Sequence, residues 1–427
     1  MHITVIGSGY VGTTIAACFA DIGHEVTAID IDQQIVDTLN AGQAPISEPG
    51  LEELLSEHAG GRLTATTAYD AVPESDVTFL AIGTPSNDDG SIDLTALEAA
   101  TEATGEALAT KSDRHLVVIK STVTPPSITD ILKPALEAGA EHNDHVELAT
   151  NPEFLREGTA VSDFQDPDKL VVGTTSEWAT DTLTAVYEPL LDAEAPIVDT
   201  DPQTASMIKY ANNAFLASKI SLINDLGNIC KEFGLDAYEV ADAIGLDDRI
   251  SEHFLRSGVG WGGSCFPKDV NAIIAAASDE GYEPAVLNAA VELNDRQPDR
   301  LVAALETHVA LDGARIAVLG LAFKPDTDDI RNTRAIPILE SLVARGADVV
   351  AYDPVAADTM ADQFPEIEYA ETAAAALADA DGAVIVTDWD EFSDLDEEFD
   401  TMSTPVVADG RRCIERREGI VYEGLTW

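Results

Sequence analysis

A chain of 427 residues, 45% of them hydrophobic, has material for two or three domain cores. Its 78 acidic residues against 24 Lys plus Arg leave a formal net charge of −54, a field that repels nucleic acid and anionic membranes and disfavours both as partners. The acids are interspersed among periodic apolar segments instead of gathered in a tail. That pattern points to a folded, halophilic protein whose self-repulsion is screened in concentrated salt, where the Debye length falls to about 3 Å at 1 M.

Ile3-Thr4-Val5-Ile6 reads as a strand that starts too early to leave room for an export leader. No apolar run nears the roughly 18 residues of a membrane span, so a cytoplasmic location is expected. The strand runs into Gly7-Ser8-Gly9-Tyr10-Val11-Gly12, a helix to about Ile22, and a second strand from Glu25 to Asp30. In such a βαβ unit Gly7, Gly9 and Gly12 allow the tight turn and the close approach of backbone to a pyrophosphate. Asp30, eighteen residues beyond Gly12, is placed to accept from a ribose 2′-hydroxyl and to repel the 2′-phosphate of NADP. NAD is the expected cofactor. Further strands at Val77 to Ile82 and Leu116 to Thr122 bring Thr84 and Thr122 to the strand ends where ligands of such sheets lie, though either hydroxyl could equally close a loop.

After Glu147 to Thr150 comes the strand-end loop Asn151 to Gly158, with two carboxylates and a guanidinium near one another; a solvated, helix-capping loop is the alternative. Asp201 to about Phe233 forms a long amphipathic helix, followed by shorter helices to about Val309. On it Lys209 and Asn213 are four residues apart and share a face, either addressing one bound oxygen or lying in solvent. A second α/β unit opens at Ala314 to Lys324, with strands at Asp348 to Asp353, Ala383 to Thr387 and Val406 to Asp409. It lacks the full glycine fingerprint and is expected to hold something other than NAD.

Cys265 sits in Gly262-Gly263-Ser264-Cys265-Phe266-Pro267-Lys268-Asp269. Pro267 suits the first turn of a helix continued by Val270 to Ala277, which puts the thiol at a helix N-terminus with Lys268 nearby, an environment that favours thiolate. The competing reading is a buried, inert cysteine. Cys18, Cys230 and Cys413 read as structural, and without a C-x-x-C pair neither a metal site nor a disulfide framework is expected. Only nine lysines occur, and three of them, Lys209, Lys268 and Lys324, fall in these segments.

The glycine turn, Glu48-Pro49-Gly50-Leu51, Asn151 to Gly158, Gly262 to Asp269 and Gly320 to Lys324 together resemble the nucleotide-sugar 6-dehydrogenase family, in family order over essentially the whole length. The resemblance implies two Rossmann-like, doubly wound parallel-sheet domains joined by a central helical region: an NAD-binding domain over 1–199, a dimerisation region over 200–309 and a nucleotide-sugar domain over 310–427. A homodimer or higher homo-oligomer is implied. So is oxidation of the sugar C6 alcohol to a carboxylate with two NAD. Arg156-Glu157-Gly158 and Cys265-Phe266 are more similar to the UDP-glucose branch than to the GDP-mannose branch.

By the same resemblance Cys265 is the nucleophile, Lys209 and Asn213 stabilise oxyanion character, Asp269 and Thr122 handle protons, and Glu153 assists thioester hydrolysis. Phe154, Leu155, Arg156, Glu157, Gly262 and Phe266 line the substrate site, Glu157 also lies near the nicotinamide, and Phe254, Arg256, Phe323, Lys324 and Arg411 contact the nucleotide sugar. Arg249 reaches in from a partner subunit, and Tyr10, Val11, Thr84, Lys268 and Arg331 lie at the cofactor. Gln33, Gln34 and Trp261 depart from the usual pattern. A two-electron hydroxy-acid dehydrogenase, which also uses Lys and Asn on one helix but needs no thiol, is the remoter alternative.

Overall fold

The computed structural model describes residues 1–193 and 196–427. The chain divides into two compact units, Met1–Asn212 and Asn213–Trp427, each α/β and each built on its own sheet.

In the first unit the strands are β1 (His2–Ile6), β2 (Glu25–Ile29), β3 (Leu63–Thr66), β4 (Val77–Leu80), β5 (His115–Ile119), β6 (Val146–Thr150), β7 (Leu170–Gly173) and β8 (Ile197–Thr200). They hydrogen-bond in the order β3-β2-β1-β4-β5-β6-β7-β8. All pairs are parallel except β6 with β7. Strands such as Val77–Leu80 and His115–Ile119 are buried throughout, as both-face coverage of a parallel sheet demands. The order reverses between β1 and β4, and the crevice beyond the carboxyl ends of strands at such a switch point is where ligands of doubly wound sheets bind. β4 and β5 stop two to three residues earlier than the sequence suggests. There Ser121 Oγ takes over from the ladder, accepting from the Ile82 N–H at 2.9 Å and donating to the Ile82 carbonyl at 2.7 Å.

Helix α1 (Tyr10–Asp21) follows β1, and α2 (Pro202–Phe233) follows β8. Asp201 starts α2 by accepting from the Gln203 and Thr204 N–H groups, each at 3.0 Å. Gly234, in the left-handed region, ends it with the Leu235 N–H returning to the Cys230 carbonyl. At 1.5 Å per residue its 32 residues reach about 48 Å. Among the described residues no helix is long and apolar enough to cross a membrane.

The second unit holds α3 (Phe266–Asp279), α4 (Ala285–Glu306) and a parallel sheet of β9 (Arg315–Leu319), β10 (Asp348–Tyr352), β11 (Glu368–Tyr369), β12 (Gly382–Ile385), β13 (Val406–Asp409) and β14 (Val421–Gly424), ordered β11-β10-β9-β12-β13-β14. Its switch point lies between β9 and β12. The repeat of the N-terminal plan is real at the level of topology.

Candidate active site

The glycine turn between β1 and α1 is as tight as the motif implies. A side chain at Gly12 would put its Cβ 1.8 Å from the Gly7 carbonyl oxygen. At Gly9, the N-cap of α1, a Cβ meets nothing within 4 Å, and the first turn of α1 carries no acid, in a chain with 78 of them. A helix N-terminus of this kind accepts a diphosphate. Asp30 Oδ2 accepts from the Ser8 N–H at 2.6 Å and Oδ1 from the Asp32 N–H at 2.9 Å, which braces the turn and leaves lone pairs for a ribose hydroxyl. These residues fit NAD. Thr84 donates to the Thr122 carbonyl at 2.9 Å, so the two threonines adjoin, with the Thr84 hydroxyl already committed to closing the loop.

In the second unit the acid at the corresponding strand end is used differently. Asp353, the counterpart of Asp30, is 3% exposed and accepts five hydrogen bonds, from the N–H groups of Leu321, Ala322, Val355 and Ala356 and from Trp389 Nε1. Its carboxylate is used up inside the fold. Asp409, at the end of β13, is likewise buried and gathers the Arg411, Arg412 and Ile414 N–H groups. Burial pushes its pKa up, against those donors. The loop it organises presents Arg411, whose Nε donates to the Val386 carbonyl at 2.7 Å.

The start of the Asn151–Gly158 loop is not solvated, whereas Arg156 further along it is exposed. Asn151, Pro152 and Glu153 are buried. Glu153 Oε1 accepts from Lys209 Nζ at 2.9 Å and Oε2 from the Leu155 N–H at 2.7 Å, and Lys209 and Glu153 side chains are 5% and 9% exposed. Burial alone would raise the Glu153 pKa, but the Lys209 ammonium, with Leu155 and Lys120, holds it below the usual carboxylate range. Phe154 lies under two cations, Lys169 at 4.0 Å and Lys209 at 5.5 Å from its ring centre. Arg156 grips Asp163, at 2.5 and 3.1 Å. Asp163, one turn into the following helix, also accepts from the Arg156 N–H.

In the second unit Cys265 is exposed and caps α3, one residue before Phe266 and two before Pro267. The buried reading fails. Asp269, in the first turn and 2% exposed, accepts from Asn213 Nδ2 at 2.6 Å and from Lys268 Nζ at 2.7 Å. Lys268, expected beside thiol and cofactor, is thus committed to Asp269. The glycines before the thiol are there for contact: a Cβ on Gly263 would lie 2.7 Å from the Phe323 ring. The Gly263 N–H donates to the Arg331 carbonyl at 3.0 Å and its carbonyl accepts from Asn332 Nδ2 at 3.2 Å. Phe266 packs edge-on against Trp261, whose indole N–H reaches Ser221 Oγ at 3.0 Å, so the larger aromatic at 261 is housed. Asn294 holds both backbone groups of Trp261.

Lys209 and Asn213 share one face of α2, and neither is solvated. The other expected residues scatter over the second unit. Lys324 lies 5.5 Å from the Phe323 ring centre, Phe254 is exposed with a left-handed backbone, Arg256 pairs with Asp242, Arg331 with Asp329 and Arg249 with Asp247. Among the described residues no cluster of His, Cys, Asp and Glu could hold a metal.

Two groups in the first unit escape sequence reasoning. Lys120 is 5% exposed, donates to Asn151 Oδ1 at 2.8 Å and Tyr187 Oη at 3.3 Å, and burial, with Lys209 against Glu153, lowers its pKa to about 7. Glu48 is buried among hydrogen-bond donors. A lysine at the end of a buried strand is the only hint of the first, and the Glu48-Pro49-Gly50-Leu51 segment of the second.

Models of three domains match in chain order. The UDP-glucose/GDP-mannose dehydrogenase NAD binding domain covers residues 1–191, the central domain 203–296 and the UDP binding domain 317–416. The chain is 58% identical over 429 residues, 100% of both chains, to UDP-glucose 6-dehydrogenase AglM of Haloferax volcanii. It superimposes with a TM-score of 0.92 and 40% identity on a UDP-glucose dehydrogenase from Pyrobaculum islandicum, covering 100% of this chain and 98% of that one. A GDP-mannose dehydrogenase from Pseudomonas aeruginosa aligns over 100% of both chains at 32% identity, with a TM-score of 0.57.

Proposed function

The chain belongs to the UDP-glucose/GDP-mannose dehydrogenase family, and on that premise we propose that it oxidises the C6 alcohol of UDP-glucose to the carboxylate of UDP-glucuronate through a covalent adduct on Cys265. It is an NAD-dependent dehydrogenase. NAD, when bound, takes up hydride, and the four electrons of alcohol to acid require two molecules of it.

Cys265 carries the reading: an exposed thiol at the positive end of a 14-residue helix, four residues along the chain from a buried Asp269. An aldehyde has no ready hydride to give, whereas its thiohemiacetal has one. The sulfur adds to C6 and the carbonyl oxygen takes the thiol's proton; loss of hydride to a second NAD and of the hydroxyl proton to solvent leaves a thioester that water cleaves to carboxylate and regenerated thiol. The tether keeps the half-oxidised sugar in place. Lys209 and Asn213, each held by a buried carboxylate, stabilise negative charge on the sugar oxygen. Glu153, kept ionised by Lys209, is the base that draws a proton from the hydrolytic water, and Asp269 and Thr122 serve proton transfer at the alcohol.

On this reading Phe154, Leu155, Arg156, Glu157, Gly262 and Phe266 line the sugar, while Phe323, Lys324, Arg411, Phe254 and Arg256 receive the nucleotide. Along α2 the exposed apolar side chains Phe215, Leu222, Leu226, Ile229 and Phe233 fall on one stripe, which supports a homodimer through the 200–309 region with Arg249 supplied across it. We take the 1–199 and 310–427 regions as its cofactor and nucleotide-sugar domains. The net charge of −54 supports work at high salt.

The deciding experiment counts NADH formed per UDP-glucose in molar KCl. Two per sugar, with a mass increment on Cys265 in stalled enzyme, is expected. One per sugar, or turnover with GDP-mannose alone, overturns the assignment.

A further inference from the structure

Glu48 opens the Glu48-Pro49-Gly50-Leu51 segment, to which the chemistry above gives no part. It is 7% exposed, and its hydrogen-bond donors are all neutral. The Tyr10 hydroxyl and the Gly158 N–H, the latter at 2.8 Å, donate to Oε2, and the Ala160 N–H donates to Oε1 at 2.7 Å. The Gly158 N–H also reaches Tyr10 Oη at 3.2 Å. A carboxylate taken out of water is costly unless donors satisfy it, and N–H and O–H bonds to an ionised oxygen are the strong kind.

Three segments meet at this one side chain. Tyr10 belongs to the glycine turn after β1. Glu48 itself precedes a helix, Leu51–His58. Gly158 and Ala160 close the loop that carries Glu153, Phe154 and Glu157, and Gly158, at φ +85°, reverses the chain so that both N–H groups face the carboxylate. Burial, reinforced by Glu48, pushes the Tyr10 phenol far up, so it remains a donor at every working pH.

We propose that Glu48 is a positioning residue that ties the Asn151–Gly158 loop to the dinucleotide turn, so that seating the cofactor and placing the loop's carboxylates are one event. This rests on the glycine turn as the NAD site, and not on which sugar is oxidised. Glu48→Gln replaces one acceptor oxygen with an amide that opposes an N–H donor. Tyr10→Phe removes one hydroxyl and keeps the fold within reach should Glu48→Gln lose it.

The test titrates the full chain with NAD alone in molar KCl, then measures kcat and both KM values. Glu48→Gln is expected to weaken NAD binding about tenfold and to lower kcat about 10- to 100-fold, with the nucleotide-sugar KM moving less than about twofold. Tyr10→Phe shifts NAD binding in the same direction by less, and the double variant is no worse than Glu48→Gln, because the two groups act as a unit. Unchanged NAD binding and kcat in both variants overturns the proposal. So does a parallel rise of both KM values with a fallen unfolding midpoint, the mark of a merely structural group. Since the NAD titration uses no sugar, its outcome holds even where the sugar assignment is wrong.

Discussion

Replacing Lys209 by Met tests the electrostatics of the site directly. Its ammonium lies 2.9 Å from Glu153 with both side chains under 10% exposed. At an effective dielectric near 20 that pair attracts by about 6 kcal/mol. Desolvation of two ions cancels most of this in the intact protein, so the pair adds little net stability. The variant is another matter, because Glu153 is left buried with only the Leu155 N–H and the more distant Lys120, and an uncompensated buried charge costs about 3–5 kcal/mol. Those residual partners put the expected loss near the lower figure, about 3 kcal/mol, or roughly 10 °C in melting midpoint for a unit of this size. Urea unfolding in molar KCl, followed by circular dichroism, reads it.

The pH dependence gives a second handle. In the wild type Glu153 titrates below its unfolded value of about 4.3, so its contribution is present above that value and is lost as pH falls through the folded pKa. Without Lys209 the effect of burial wins and the folded pKa rises above the unfolded one, so the deficit of the variant narrows as pH drops from about 7 toward about 5. Glu153→Gln on top of Lys209→Met restores most of the loss. A deficit under about 1 kcal/mol at neutral pH that does not change with pH refutes the reasoning.

Cys265→Ser is expected to form at most one NADH per sugar and to trap no adduct, against two in the wild type; undiminished stoichiometry places the nucleophile elsewhere. Asp30→Ser loses a charge-assisted contact to ribose and weakens NAD binding by about tenfold while easing the rejection of NADP, read as the ratio of kcat/KM for the two cofactors. Raising KCl from about 0.1 M to about 2 M lifts the melting midpoint by at least about 10 °C, as screening relieves a net charge of −54; a flat response counts against halophilic folding. Lys120 has a folded pKa of about 7, below its unfolded value of about 10.4, so its desolvation penalty is full below the folded pKa and is relieved as pH rises toward the unfolded one. Lys120→Met therefore flattens the stability gain between about pH 7 and about pH 10, measured by urea midpoints across that range.

Local features are the ones legible in the chain. The glycine turn, its following helix and Asp30 lie within one short stretch of chain, and at Gly12 the 1.8 Å approach to the Gly7 carbonyl admits no other residue type. The long helix is readable to within a residue because its start and stop, Asp201 and Gly234, are capping chemistry. The echo of the N-terminal plan in β9 and β10 is visible too. That Asp353 spends its carboxylate on five internal donors is not, since Trp389 lies 36 residues away along the chain.

What stays hidden depends on partners brought from a distance. Burial draws the Lys120 pKa down, and the groups its ammonium bonds, Asn151 and Tyr187, come from 31 and 67 residues on. Glu48 takes its donors from 38 residues before it and from 110 and 112 residues after it. Arg156 likewise takes its partner Asp163 from seven residues on, across a turn that the loop motif itself does not show. A motif states which chemical groups a site has room for. How each is held is decided by what else is buried beside it: Lys209 meets the Glu153 carboxylate, while Lys120 hydrogen-bonds neutral groups and burial lowers its pKa to about 7.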